Sequence, residues 1–192
     1  MNTETSGNRE VILREALTLF ALRGYEAVGV QEICESAGIT KPTLYHWFGS
    51  KNGILNAIVA DIGSPYYARI TEAASYQRDL TINLLNLMRT AMEQAIREPH
   101  FVRLYLALSA AAPDNEGHRA FSALAEALYG RIDELFCACL PEMGNIRGHE
   151  ALCAQTFLGL MDNRSLAVIN GQFQPTDEGI RRVIHQYMHG IL

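Results

Sequence analysis

The sequence predicts an all-α protein: a small N-terminal three-helix domain carrying a helix-turn-helix, joined to a larger C-terminal helical bundle. Three observations predict it. Apolar residues recur at helical spacing through nearly the whole chain, first at Ile12, Ala16, Leu19 and Phe20, which make one stripe. No alternating strand pattern of useful length interrupts them. Helix breakers fall at helical intervals: Gly24, Pro99, the Ala112-Pro113-Asp114-Asn115 turn, and the loops over 141–148 and 172–176.

The first helix is expected over Asn8–Arg23, ended by Gly24. A short second helix follows over Val30–Ala37, with Val30, Ile33, Cys34 and Ala37 inward. The third spans Lys41–Phe48, and Ser50 caps a fourth that begins at Lys51. Pro65 punctuates that fourth region. Longer helices are expected over Asp79–Glu98, Phe101–Ala111, Glu116–Leu140, Glu150–Gly171 and Asp177–Ile191. The domain boundary falls between residues 52 and 53, giving domains 1–52 and 53–192. There is no internal repeat and no low-complexity tract.

The run Gly38-Ile-Thr-Lys-Pro-Thr-Leu-Tyr-His-Trp-Phe-Gly-Ser-Lys51 carries the most chemistry. Gly38 permits a sharp turn because glycine reaches positive φ without steric cost. Thr40 is placed to cap the next helix through its hydroxyl. Pro42 sits in the first turn, where a missing N–H is harmless. Leu44 and Phe48 are one turn apart and face a core. Opposite them stand Pro42 and His46, flanked by Thr43 and Tyr45. The only two lysines of the chain, Lys41 and Lys51, both lie in this run. A short helix presenting Lys, Thr, Tyr and His suits a DNA major groove.

This segment resembles the DNA-binding domain of the TetR family of bacterial transcriptional regulators. The likeness extends back through Gly24-Tyr25 and Val30-Gln31-Glu32-Ile33, and forward to Lys51, Ile54 and Leu55. Val28 and Gly29 stand where the family often has Thr or Ser, and Cys34 where it has a small Ala. The resemblance implies that Gln31, Lys41 and Thr43 reach bases. It implies backbone contacts from Thr40, Tyr45, Trp47 and Lys51, and base or sugar contacts from Pro42 and His46. The chemistry agrees for several. Lys donates to the guanine O6/N7 edge, Gln suits adenine N6/N7, and the Thr methyl meets the thymine methyl. Lys51, with the free N–H groups after Ser50, makes a phosphate site at a helix N-terminus.

Charge bounds the partners. The chain has 192 residues and a net charge of −5, and residues 1–60 carry five Lys/Arg against six Asp/Glu. That is not the balance of a non-specific nucleic-acid binder, so DNA contact depends on a few placed groups. No stretch approaches the roughly 20 apolar residues of a membrane span. The polar N-terminus, Met1 to Glu10, cannot be a signal peptide, and the protein is expected in the cytoplasm. Cys34, Cys137, Cys139 and Cys153 show no metal-ligand pairing and are expected as reduced, buried thiols.

Residues 61–192 hold no Gly-x-Ser-x-Gly, no Walker loop and no Gly-x-Gly-x-x-Gly, so neither catalysis nor a cofactor is expected. His185 and His189 lie one helical turn apart, but His-Gln-Tyr-Met-His lacks a metalloprotease Glu, and a surface or interface pair is favoured over a metal site. Met88, Met92, Phe101, Tyr105, Phe121, Tyr129, Phe157 and Met161 are candidates to line an apolar pocket with phenolic donors. Plain core is the competing reading of each. Arg164 and Asn163 stand beside Met161 as interface groups, pocket groups or a buried pair. Leu152, Gln155, Thr156, Gly159 and Asn163 mix small and polar residues at helical spacing, as close helix approach requires. The resemblance implies a homodimer through the last two helices, an effector between the central helices, and a ligand-responsive repressor that binds a palindromic operator. The competing class is a small-molecule-binding helical protein or enzyme that keeps the helix-turn-helix as scaffold.

Overall fold

The computed structural model describes the backbone of residues 3–190 and the side chains of residues 8–190. The described residues are helical throughout, with turns between. The helices are α1 (Thr3–Arg23), α2 (Val30–Ala37), α3 (Lys41–Phe48), α4 (Lys51–Ile58), α5 (Ser64–Ala73), α6 (Leu80–Arg97), α7 (Pro99–Ser109), α8 (Glu116–Ala138), α9 (Glu150–Ile169) and α10 (Asp177–His189). No helix among the described residues is long and apolar enough to cross a membrane.

The chain packs as two units. The first takes the residues up to Ser64 together with Arg103–Ala123; the second takes Pro65–Val102 and the chain from Leu124 on. In the first, α1 packs against α2 and α4, and α3 against α2 and α4. Three of the four residues of the expected stripe, Ile12, Ala16 and Phe20, are at most 1% exposed, while Leu19 is half-buried; Tyr25, Ile33, Leu44, Ile54, Leu55 and Ile58 are buried in the same unit. Each such Leu or Ile contributes about 2 kcal/mol by leaving water. Exposed ion pairs of Arg23 with Glu32 and of Arg9 with Asp61 add little beside that. In the second unit, α6 packs against α9 and α10, burying Leu84, Leu87, Met88, Met92, Phe157, Met161, Ile180 and Ile184.

Several expectations shift. Pro65 punctuates the fourth helical region from within a helix. It takes the second position of α5, and the turn before it, Val59–Gly63, is π-helical, with the Ser64 N–H bonded to the Val59 carbonyl. A proline supplies no N–H to the preceding turn, so the helix widens there. Pro99 separates α6 from α7 as expected, and does so as the first residue of α7, where its fixed φ suits a first helical position. The last helix ends at His189, and Ile191, its expected end, lies outside the described residues. All four cysteines are free; Cys34 and Cys139 are buried as expected, but Cys137 is exposed. Two residues along a helix turn through about 200°, so burying Cys139 faces Cys137 to solvent.

One buried polar group went unread. Asn83 is fully buried and ties the α5–α6 turn. Its Oδ1 accepts from the Gln77 N–H at 2.9 Å, and its Nδ2 donates to the Ala73 and Ser75 carbonyls at 3.2 and 2.8 Å. No periodicity distinguishes such an Asn from a surface one.

Candidate nucleic-acid interface

α2 and α3 form the helix-turn-helix, joined by three residues. Gly38 takes φ 63° and ψ 35°, the left-handed region, as the sharp turn requires. The Ile39 N–H bonds the Cys34 carbonyl at 2.9 Å, which closes α2. Leu44 is fully buried and pins α3 to the core. With that face fixed, Lys41, Pro42, Tyr45 and His46 stand exposed, Tyr45 at 47%. Thr43 and Trp47 are half-buried on the flanks, and the His46 and Trp47 rings meet edge-on at 5.4 Å.

The cap at Thr40 differs from expectation. Its backbone is extended, as an N-cap requires, but its hydroxyl makes no bond to the helix backbone. It lies 3.0 Å from the Thr43 hydroxyl instead. Gln31 is exposed on α2, with its Nε2 donating to Glu35 Oε1 at 2.8 Å, so reading a base requires that bond to be exchanged.

Lys51 is half-buried and its ammonium turns inward. It donates to the Tyr25 carbonyl at 2.9 Å and the Val28 carbonyl at 3.2 Å, and lies 4.2 Å from the centre of the Tyr25 ring. Two of its three N–H donors are thereby spent within the unit. The start of α4 is otherwise as expected: Ser50 Oγ accepts from the Gly53 N–H at 2.9 Å. Gly53 was not singled out in the sequence, yet a Cβ there would lie 1.7 Å from the Phe48 carbonyl oxygen. Only glycine lets α4 begin so close to the end of α3. Arg9 also escaped notice. It pairs with Asp61 at 2.6 Å, with its guanidinium 5.5 Å from the Phe48 ring.

The eight pocket candidates divide between the units. Tyr105 and Phe121 belong to the first, where their rings pack 6.2 Å apart. Met88, Met92, Phe101, Phe157 and Met161 are at most 1% exposed in the second, and Tyr129 is half-buried. Two cavities in the second unit have other linings. One of about 650 Å³ lies between α6 and α10, beside Leu85, Ile184, His185, Met188 and His189. One of about 290 Å³ is lined by Leu80, Phe136, Met143, Leu152, Cys153 and Tyr187. The His185 and His189 rings lie 4.6 Å apart. Arg164 donates to Asn163 at 2.8 Å, with its guanidinium 5.6 Å from the Phe173 ring. On α9, Leu152, Gln155, Thr156, Gly159 and Asn163 are all exposed, Leu152 at 61%.

Comparison with known proteins bears on this geometry directly. Residues 12–58 match the family described as bacterial regulatory proteins, tetR family. The HTH-type transcriptional repressor KstR2 of Rhodococcus jostii (strain RHA1) is 32% identical over 100 residues, 52% of this chain and 49% of KstR2. The HTH-type transcriptional regulator UidR of Escherichia coli (strain K12) is 35% identical over 72 residues, 38% of this chain and 37% of UidR. The chain thus spans about half the length of these curated relatives, or less. Among solved structures, the TetR family transcriptional regulator PfmR of Thermus thermophilus superposes with a TM-score of 0.73 at 25% identity, over 94% of this chain and 95% of PfmR. FadR of Bacillus subtilis, solved in complex with stearoyl-CoA, superposes with a TM-score of 0.75 over 95% of this chain and 99% of FadR; at 18% identity this is a likeness of fold. The segment that closes α1 to α4 around Leu44 is the one that matches the tetR family of bacterial regulatory proteins, and the chain as a whole shares the fold of solved regulators of that family.

Proposed function

We propose that this protein is a homodimeric transcriptional repressor of the cytoplasm, not an enzyme, that binds a two-fold operator through α3 and is released by a small apolar or amphipathic ligand. The observation that carries the reading is α3 itself. Leu44 anchors one face, and Lys41, Pro42, Tyr45 and His46 are thereby presented outward on a helix short enough to enter a major groove. In this reading Lys41, Thr43 and Gln31 select bases, Thr40, Tyr45 and Trp47 position the helix on the backbone, and the α4 N-terminus takes a phosphate with Lys51's remaining donor. Residues 1–52 are the DNA-binding domain and 53–192 the effector and dimerisation domain. The exposed stripe from Leu152 to Asn163 supports a dimer through α9 and α10. Two half-sites about 34–36 Å apart then double the contacts of a weakly charged reader.

A gel shift against the DNA flanking its own gene tests the first half. A shifted band with a two-fold footprint is expected, and Gly159→Arg should abolish both the dimer, by light scattering, and the footprint. Absence of any shift, with tight small-molecule binding, would favour a ligand-binding helical protein that keeps the motif as scaffold.

The ligand half rests on the apolar, Met- and aromatic-rich interior of the second unit around Met88, Met92, Phe101, Tyr129, Phe157 and Met161, with Tyr105 and Phe121 as candidates within the first unit. These side chains are packed or half-buried here, so a ligand entering among them must part them. Such a ligand prefers an opened conformer, which is the differential affinity that coupling to DNA requires. The fold shared with the stearoyl-CoA complex of FadR makes fatty acids and their CoA thioesters the first probes. A true effector raises the melting temperature by mass action and releases operator DNA at matching concentration.

A further inference from the structure

Within the first packing unit the α1–α2 turn is bound to the first turn of α8, and the DNA-reading chemistry alone does not call for this. Tyr25 is only 2% exposed. Its hydroxyl donates to Glu116 Oε2 at 2.6 Å. Beside it, Asn115 Nδ2 donates to Glu26 Oε1 at 3.1 Å. Asn115 Oδ1 meanwhile accepts from the Gly117 and His118 N–H groups at 2.8 and 3.1 Å, so this residue also caps α8. On the opposite side of the turn, Lys51 seats its ammonium on the Tyr25 carbonyl and ring. Lys51 is the first residue of α4, just past the end of α3. One aromatic residue therefore ties the exit of the recognition helix to the start of α8. Burial, together with the Glu116 carboxylate, holds the Tyr25 phenol well above the usual tyrosine range, so it remains a donor at all physiological pH.

We propose that Tyr25, Glu116 and Lys51 form a latch that fixes α3 to the α7–α8 turn and so sets the attitude in which α3 meets DNA. The proposal rests on the reading of α3 as the DNA-reading helix. Tyr25 and Glu116 are positioning residues in it. Base-edge hydrogen bonds demand a fixed helix, whereas phosphate contacts tolerate a tilted one. Loosening the latch should therefore cost sequence-specific binding and spare non-specific binding.

The test uses the full chain and the duplex that wild type selects from a random library, with a scrambled duplex as control. Tyr25→Phe keeps the ring, its 5.0 Å edge contact with Phe20 and its seat for Lys51, and removes one oxygen. It should weaken the selected duplex about tenfold and leave the scrambled one unchanged, as expected for losing a charge-assisted bond. Glu116→Gln keeps an acceptor without the charge and should lose about threefold. The double variant should be no worse than Tyr25→Phe alone, because both act on one bond. A merely structural role would lower the melting temperature and both affinities together. An unchanged ratio of selected to scrambled affinity in Tyr25→Phe, or additive losses in the double variant, overturns the latch. If Tyr25→Phe does not fold, an unchanged ratio in Glu116→Gln overturns it. A wild type that selects no duplex overturns the DNA reading, and the latch with it.

Discussion

The helix-turn-helix and the second packing unit are both helical and apolar inside, but they treat polar groups oppositely. In α2 and α3, a buried base of Ile33, Cys34 and Leu44 turns Gln31, Lys41, Tyr45 and His46 outward. In the second unit, Asn83, Gln94 and Ser165 are buried, and the Asp162 carboxyl is desolvated. The first arrangement leaves the Lys41, Tyr45 and His46 side chains exposed to a partner, with the Gln31 amide held by Glu35 beside them. The second holds its polar groups within the fold, where they specify how helices meet. One region turns polar groups outward; the other packs them inward.

The sharpest way to break the comparison is at the joint of the reading region. Gly53→Ala places a methyl 1.7 Å from the Phe48 carbonyl, which is backbone and cannot rotate away. The start of α4 must shift, at a cost of about 3 kcal/mol or more. Thermal melting should show that loss, together with loss of DNA binding. A variant that melts like wild type would mean the joint is slack and that α3 is not held rigidly.

In the second unit the corresponding test is Asp162→Asn. Burial pushes the Asp162 carboxyl up to about 7 from an ordinary 3.8. Below pH 3.8 the group is neutral in both folded and unfolded chains. As pH rises from 3.8 to about 7, the unfolded chain gives up this proton and the folded chain keeps it, so stability falls; above about 7 the fall is complete. Asn mimics the neutral acid. The variant should gain on the order of 2–3 kcal/mol at pH 8 and nothing at pH 3.5. Melting temperature against pH decides it: parallel curves for the two proteins would show that the carboxyl is solvated.

What was legible in the sequence follows the same division. The helix-turn-helix is set by contacts a few residues apart, so Gly38, Leu44 and the Ser50 cap could be placed from spacing alone. Helix positions in the second half were legible too, because periodicity and breakers are local. The partners were not. α6 meets α9 and α10 across the sequence, and no pattern shows which side chains these contacts seal. The pocket candidates illustrate this: their chemistry was visible, but whether they line space or fill it is a tertiary property. Tyr25 and Glu116 failed to register as a pair for the same reason, although each sits at a recognisable helix boundary.

The smallest expected effect separates the two lysines, which sequence alone had treated as two DNA contacts. Lys51 satisfies two carbonyls and covers an aromatic face, so it belongs with the packed groups although it lies in the reading region. Lys51→Ala should destabilise the fold by about 1–3 kcal/mol, because it leaves the Tyr25 and Val28 carbonyls without their donor. Lys41 is exposed and has no such duty, so Lys41→Ala should change stability by less than about 0.5 kcal/mol. On DNA the order reverses. Lys41→Ala should relax preference at one base pair of each half-site by about 1–3 kcal/mol. Lys51→Ala should relax preference at no single base pair; by loosening the latch it should weaken the selected duplex relative to a scrambled one, and it should reduce the salt slope by at most about one unit. Equal melting temperatures for the two variants would show that the Lys51 ammonium is not held by the turn, and would return it to the set of free DNA-facing groups.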